Sequence, residues 1–182
     1  MSNKKSRAID AARILNMLRL ELIVGTRSLE IFNKILPHRE LGGAAEQGMI
    51  RMCHFHFLLS LCKFVEFYDH YHSIIPEDCK QQFKGAVREI NKKGIIEFRN
   101  KYIGHILEKR TGRPLDLINI ETYLHRIYGN DDEVFIAWIN DHKNIFPTTV
   151  VSVVEHTRTR IMESYSISDI DINTSVDSGC SD

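Results

Sequence analysis

The stretch "MIRMCHFHFLLSLCKFVEFYDHYH", residues 49–72, decides the fold. Wound at about 100° per residue, it is apolar nearly all the way round. An apolar surface all the way round is the mark of a helix buried on every side. The pattern therefore predicts a central, buried helix running from Ala44 to about His72. A helix buried on every side needs helices around it, and the flanking sequence supplies them.

Upstream, residues 7–36 place Ile9, Ala12, Leu15, Leu18, Leu22, Leu29 and Ile35 at helical spacing, with strong helix formers between them. Pro37 and the pair Gly42–Gly43 then break the chain. Downstream, Pro76 opens a helix with Glu77 and Asp78 in its first turn, where the helix dipole favours acids. Gly94 interrupts it before a helix over residues 95–107, which ends at "KRTGRP". Shorter helices are expected around 116–128 and 131–142, and Pro147 opens a last one reaching about Tyr165. "TTVVSVV" (148–154) has β propensity, but its neighbours leave the decision to tertiary context. The fold class expected is an all-α helical bundle, one domain over residues 1–167. A polar, acidic, Ser-rich tail is expected to be disordered over 168–182.

Composition narrows the function. Hydrophobic residues make up 43% and charged residues 26%, the balance of a soluble globular domain. The N-terminus is basic, but Asp10, Arg13, Arg19 and Glu21 interrupt its apolar run. Neither a signal peptide nor a membrane span is indicated, and a cytoplasmic location is expected. Cys53, Cys62, Cys79 and Cys180 form no C-x-x-C pair. His54/His56 and His70/His72 are each two apart, so on a helix they point to nearly opposite sides and cannot chelate a metal from one face. No phosphate-binding glycine loop, nucleophile elbow or H-E-x-x-H occurs.

Formal net charge is zero, yet residues 80–113 hold ten bases (Lys80, Lys84, Arg88, Lys92, Lys93, Arg99, Lys101, Lys109, Arg110 and Arg113) against Glu89, Glu97 and Glu108, a net of +7. This is either a solvated helix face or a surface for a polyanion such as RNA. At its centre lies "FRNKYIGHI", residues 98–106. On a helical wheel Arg99 falls among Ile95, Ile96, Tyr102, Ile103, Ile106 and Leu107. An arginine cannot shed its charge to escape burial, so it needs a carboxylate, a polar cleft or a subunit boundary. Glu66 and Asp69 on the central helix are the obvious carboxylates. His105 lies on the flank of the same helix, and Gly104 beside it opens room for a second helix or a substrate backbone.

An arginine followed four to six residues on by a histidine occurs twice, as Arg99/His105 and Arg51/His56. The second is followed by apolar Met52 and reads as structural. The first carries Asn100, "KYIG" and the basic neighbourhood. "RNKYIGH" resembles the motif of the HEPN superfamily, the helical domains of many prokaryotic ribonuclease toxins and abortive-infection proteins, and is most similar to the abortive-infection U-type branch. The order of elements agrees, with the central apolar helix ending "KFVEFYD" and then the motif helix.

The resemblance implies metal-independent endoribonuclease chemistry with no cofactor. The ribose 2′-hydroxyl attacks the adjacent phosphorus and leaves a cyclic phosphate and a free 5′-hydroxyl. His105 would transfer protons. Arg99 would stabilise the developing oxyanion, and Asn100 would orient backbone or phosphate. Glu66, Asp69 and Tyr102 would support the site, and Lys84, Arg88, Lys92, Lys101 and Arg110 would hold RNA. One histidine cannot easily serve both sides of an in-line displacement, so a homodimer is implied, with a cognate antitoxin or defence-system partner. The alternative is a non-catalytic HEPN-like module that binds nucleotide, RNA or a partner protein, and a third is a helical interaction bundle of unrelated descent.

Overall fold

The computed structural model describes residues 2–35, 43–103, 117–129 and 131–173. Eight α-helices occur among them: α1 (Ser2–Ile35), α2 (Gly43–Tyr71), α3 (Glu77–Lys92), α4 (Ile95–Phe98), α5 (Leu117–Tyr128), α6 (Asp132–Ile139), α7 (Val150–Tyr165) and α8 (Asp169–Asn173). A π-helical turn, Arg99–Ile103, continues directly from α4. The described residues contain no strand, and the fold is the expected all-α bundle. No helix among them is long and apolar enough to cross a membrane.

The long α1 packs along both α2 and α7, and α3 lies against α2 and α7. Ala8, Ala11, Ala12, Leu15, Leu18, Leu22 and Leu29 form the inner stripe of α1. The alanines let the neighbouring helices approach closely. Phe57, Leu58, Leu61 and Phe64 are fully buried on α2, and Phe64 stacks on Phe83 of α3 with ring centroids 4.1 Å apart. Burying one such side chain contributes about 1.5–3 kcal/mol.

The central helix is buried over only part of its length. Met49 is 45% and Met52 73% exposed, although both belong to the apolar run. Here Phe55 and Phe57 meet Phe98 and Phe135, and His54 meets Tyr128, so that α4, α5 and α6 cover one side. The methionines stand on the open side.

The "TTVVSVV" segment becomes the start of α7. Thr149 and Ser152 form a reciprocal capping box, and Val150, Val151, Val153 and Val154 are all buried. Packing against α1 and α3 outweighs the β preference of the valines. The helix begins at Val150, three residues beyond the expected Pro147. The first residues of the expected tail are also structured. Arg13 donates to the backbone oxygens of Asp171 (2.8 Å) and Ile172 (2.9 Å), and Ile172 is buried. Two isoleucines in a polar sequence are a weak signal, but α1 offers Ile172 an apolar seat and its backbone an arginine clamp, while Ile170 stays exposed. The expected break at 36–42 and the remaining tail at 174–182 lie outside the described residues.

Candidate functional site

Gly94 adopts φ 76°, a left-handed conformation costly for residues with a Cβ, and turns the chain sharply between α3 and α4. Ile95 and Phe98 then plunge into the core, where the Cys62 thiol of α2 lies 3.9 Å from the Ile95 carbonyl oxygen. Burial pushes the Cys62 thiol up to about 11, so it stays protonated and inert. Phe98 packs edge-on to Phe55 and lies beside Tyr102, whose ring in turn meets Tyr123 of α5 at 4.8 Å. This aromatic wedge fixes the start of the motif.

The motif residues "RNKYI" are themselves the π-helical turn. Such turns bond residue i to i+5, are rare, and frequently occur at functional sites. A wheel drawn at 100° per residue therefore does not apply across them. The buried face is Ile95, Phe98 and Tyr102, with Ile96 and Ile103 half-buried against the core as expected; the inclusion of Phe98 puts Arg99 at the edge of the apolar stripe. The Arg99 side chain is 33% exposed.

Arg99 Nη1 donates to Glu66 Oε1 at 2.6 Å, and Glu66 is 49% exposed. Asp69, the other carboxylate expected near Arg99, is exposed and makes no ion pair with it; its backbone oxygen meets His72 Nδ1 at 3.3 Å. Arg99 Nε is enclosed and has no hydrogen-bond partner. One edge of the guanidinium is thus tied to Glu66. Asn100 is exposed beside it and Tyr102 is buried beneath.

Lys101 is tied down. Its Nζ donates to the Tyr123 hydroxyl at 3.0 Å, which donates onward to Glu97 Oε1 at 3.2 Å. The ammonium lies 4.9 Å from the centre of the Tyr123 ring and 5.6 Å from that of Tyr102. The bond to Tyr123 holds its pKa above the ordinary lysine range. Tyr123 and Glu97 thus join the site without a motif of their own; Tyr123 reaches it from another helix, which spacing along the chain could not disclose.

Lys84, Arg88 and Lys92 occupy successive turns on the exposed face of α3, and Lys92 lies 3.9 Å from Glu89. His105, Gly104 and Arg110 lie outside the described residues. The other histidines have separate roles: His54 Nδ1 meets the Tyr128 hydroxyl at 2.5 Å, His70 Nδ1 meets the Glu66 carbonyl oxygen at 2.9 Å, and His56 is exposed. Among the described residues no three His, Cys, Asp or Glu side chains converge to hold a metal.

Fold and site together define an all-α bundle that displays a carboxylate-held arginine on a π-turn. No family model matches the chain, and no curated protein matches it. A solved structure similar to it is the integron cassette protein Vpc_cass2 from the mobile metagenome of V. paracholerae. The TM-score is 0.73 at 20% identity, over 86% of this chain and 96% of that one. At that identity the likeness speaks for the bundle architecture alone.

Proposed function

We propose that this chain is a metal-independent endoribonuclease of HEPN type, acting as a homodimer in a toxin–antitoxin or phage-defence setting. The observation that carries this reading is Arg99. It heads "RNKYIGH", stands at the surface on a π-helical turn, and is oriented from one side by Glu66. A guanidinium fixed in this way can meet a phosphate oxygen without first losing rotamer freedom. His105 would serve as the proton-transfer group, Asn100 would position the backbone, and the basic face of α3 would lead RNA toward the site. Lys101, held by Tyr123, is a positioning group rather than a mobile phosphate clamp.

The ion pair also favours the second reading, a non-catalytic module for nucleotide, RNA or a partner protein, because Glu66 offsets the charge that catalysis would use. The test is cleavage of total RNA in EDTA by the wild type, beside Arg99→Ala and His105→Ala, with the ends mapped. The enzyme reading expects cyclic phosphate and 5′-hydroxyl ends, lost in both variants. RNA binding without cleavage, weakened by Arg99→Ala, selects the module.

A further inference from the structure

A groove of about 260 Å³ lies away from the motif, between α3, α6 and the start of α7. Gln82, Gly85, Ala86 and Glu89 form its α3 wall at positions i, i+3, i+4 and i+7, one continuous stripe. Trp138 and Val153 face them. Gly85 sits inside a helix, where glycine is disfavoured relative to alanine. Packing does not demand it, since a Cβ built there meets no atom within 4 Å. What the glycine does is keep the groove open.

The polar chemistry of the walls is acceptor-rich. The Thr149 hydroxyl, which also faces the groove, is already spent on the Ser152 N–H and the Asn144 side chain. One group remains available. The Glu89 carboxylate is 41% exposed, with only a distant contact to Lys92 at 3.9 Å. The Gln82 Oε1 is enclosed without a hydrogen-bond partner and offers nothing to an incoming molecule. An aliphatic side chain covering Glu89 would strip water from the carboxylate without pairing it, at a cost in affinity. A planar ring carrying adjacent N–H donors would pair it while covering the indole and Val153.

We infer that this groove is a binding site for a guanine base. Guanine presents two adjacent donors, N1–H and the N2 amino group, which match the two oxygens of one carboxylate. Its face can stack on Trp138, an interaction that tolerates any nucleic-acid backbone. Arg88 and Lys92 are exposed on the same helix, with the Lys92 ammonium 3.9 Å from the Glu89 carboxylate, and would meet the attached phosphate. Only its role as a substrate subsite rests on the ribonuclease reading: there it would select a splayed guanosine of the RNA strand.

Trp138 is the single tryptophan of the chain, so its fluorescence reports on the groove directly. Titration with GMP should quench it saturably, and UMP should bind at least about tenfold more weakly. Glu89→Gln should weaken GMP by about tenfold. Gly85→Leu should fill the groove and abolish binding while melting no earlier than wild type. Arg99→Ala, which removes cleavage on the ribonuclease reading, should leave GMP binding unchanged. No saturable quench, equal response to UMP, or unaltered binding by a well-folded Gly85→Leu protein would overturn the inference. GMP binding by a wild type that cleaves no RNA upholds the guanine site and rejects only its place in catalysis. An unpaired oligonucleotide containing one guanosine, set beside one containing none, separates RNA from free nucleotide as the source of the base.

Discussion

At the scale of single residues, the Arg99–Glu66 pair and His54 make opposite kinds of prediction. Both partners of the ion pair are substantially exposed, so the pair is worth about 1 kcal/mol or less. Arg99→Ala and Glu66→Gln should each lower the melting temperature by no more than about 4 °C in a chain of this size. On the ribonuclease reading, loss of His105 as proton carrier should reduce cleavage by about two to four orders of magnitude, and Arg99→Lys should fold well but cleave poorly, lacking the planar fork. If Arg99→Ala melts far below wild type and its residual folded fraction cleaves normally, the arginine is structural. His54 acts through protonation instead. Burial lowers its pKa, and Asp132 only partly opposes this. Above the ordinary histidine range both folded and unfolded states carry it neutral, and it contributes nothing to pH dependence. From about pH 6.5 downward the unfolded chain takes up a proton that the folded protein resists, so stability should fall. Urea melts across pH 5–8 should show this slope, and His54→Gln should flatten it. The sequence disclosed Arg99 and its partner Glu66, because a cation in an apolar run demands a carboxylate. His54 and Tyr123 were illegible, since each acquires its role from a side chain on another helix (Tyr128, Lys101).

At the scale of elements, the boundaries set by local chemistry were readable and those set by packing were not. Pro76 with two acids, and Gly94 with its positive φ, announce themselves. The π-turn does not: nothing in "RNKYI" distinguishes five residues bonded i to i+5 from a regular turn, so the wheel placed Ile95 and Tyr102 on the buried face but left Phe98 off it. The helix α7 shows the balance in the other direction. Its valines favour a strand, and what stabilises the helix is burial plus a cap. Thr149→Val keeps the shape but removes the hydroxyl that accepts from Ser152 N–H and donates to Asn144. It should cost about 1–2 kcal/mol, seen as a lower urea midpoint with unchanged slope. An unshifted midpoint would mean that packing alone holds the segment helical.

At the scale of the whole molecule, neutrality conceals an asymmetric surface, and whether RNA can follow it depends on where the bases point. Lys84, Arg88 and Lys92 are exposed on one face of α3, while Lys101 is occupied by Tyr123. If single-stranded RNA follows α3, each phosphate deprived of its cation should reduce the slope of log affinity against log salt by about 0.7. Replacing Lys84, Arg88 and Lys92 together with glutamine should then remove about two units of slope, and Lys101→Gln should remove almost none. The dimer proposed on the ribonuclease reading is separable from this. With one histidine per motif, cleavage should become second order in protein below the concentration at which light scattering shows dissociation. Met17, Leu20, Val24 and Ile31 leave a competing apolar stripe exposed along α1. Val24→Glu should therefore leave the dimer intact if the twofold axis passes near Arg99. A Val24→Glu protein that becomes monomeric and inactive would move the axis to α1 and dissolve the composite cleft at the π-turn.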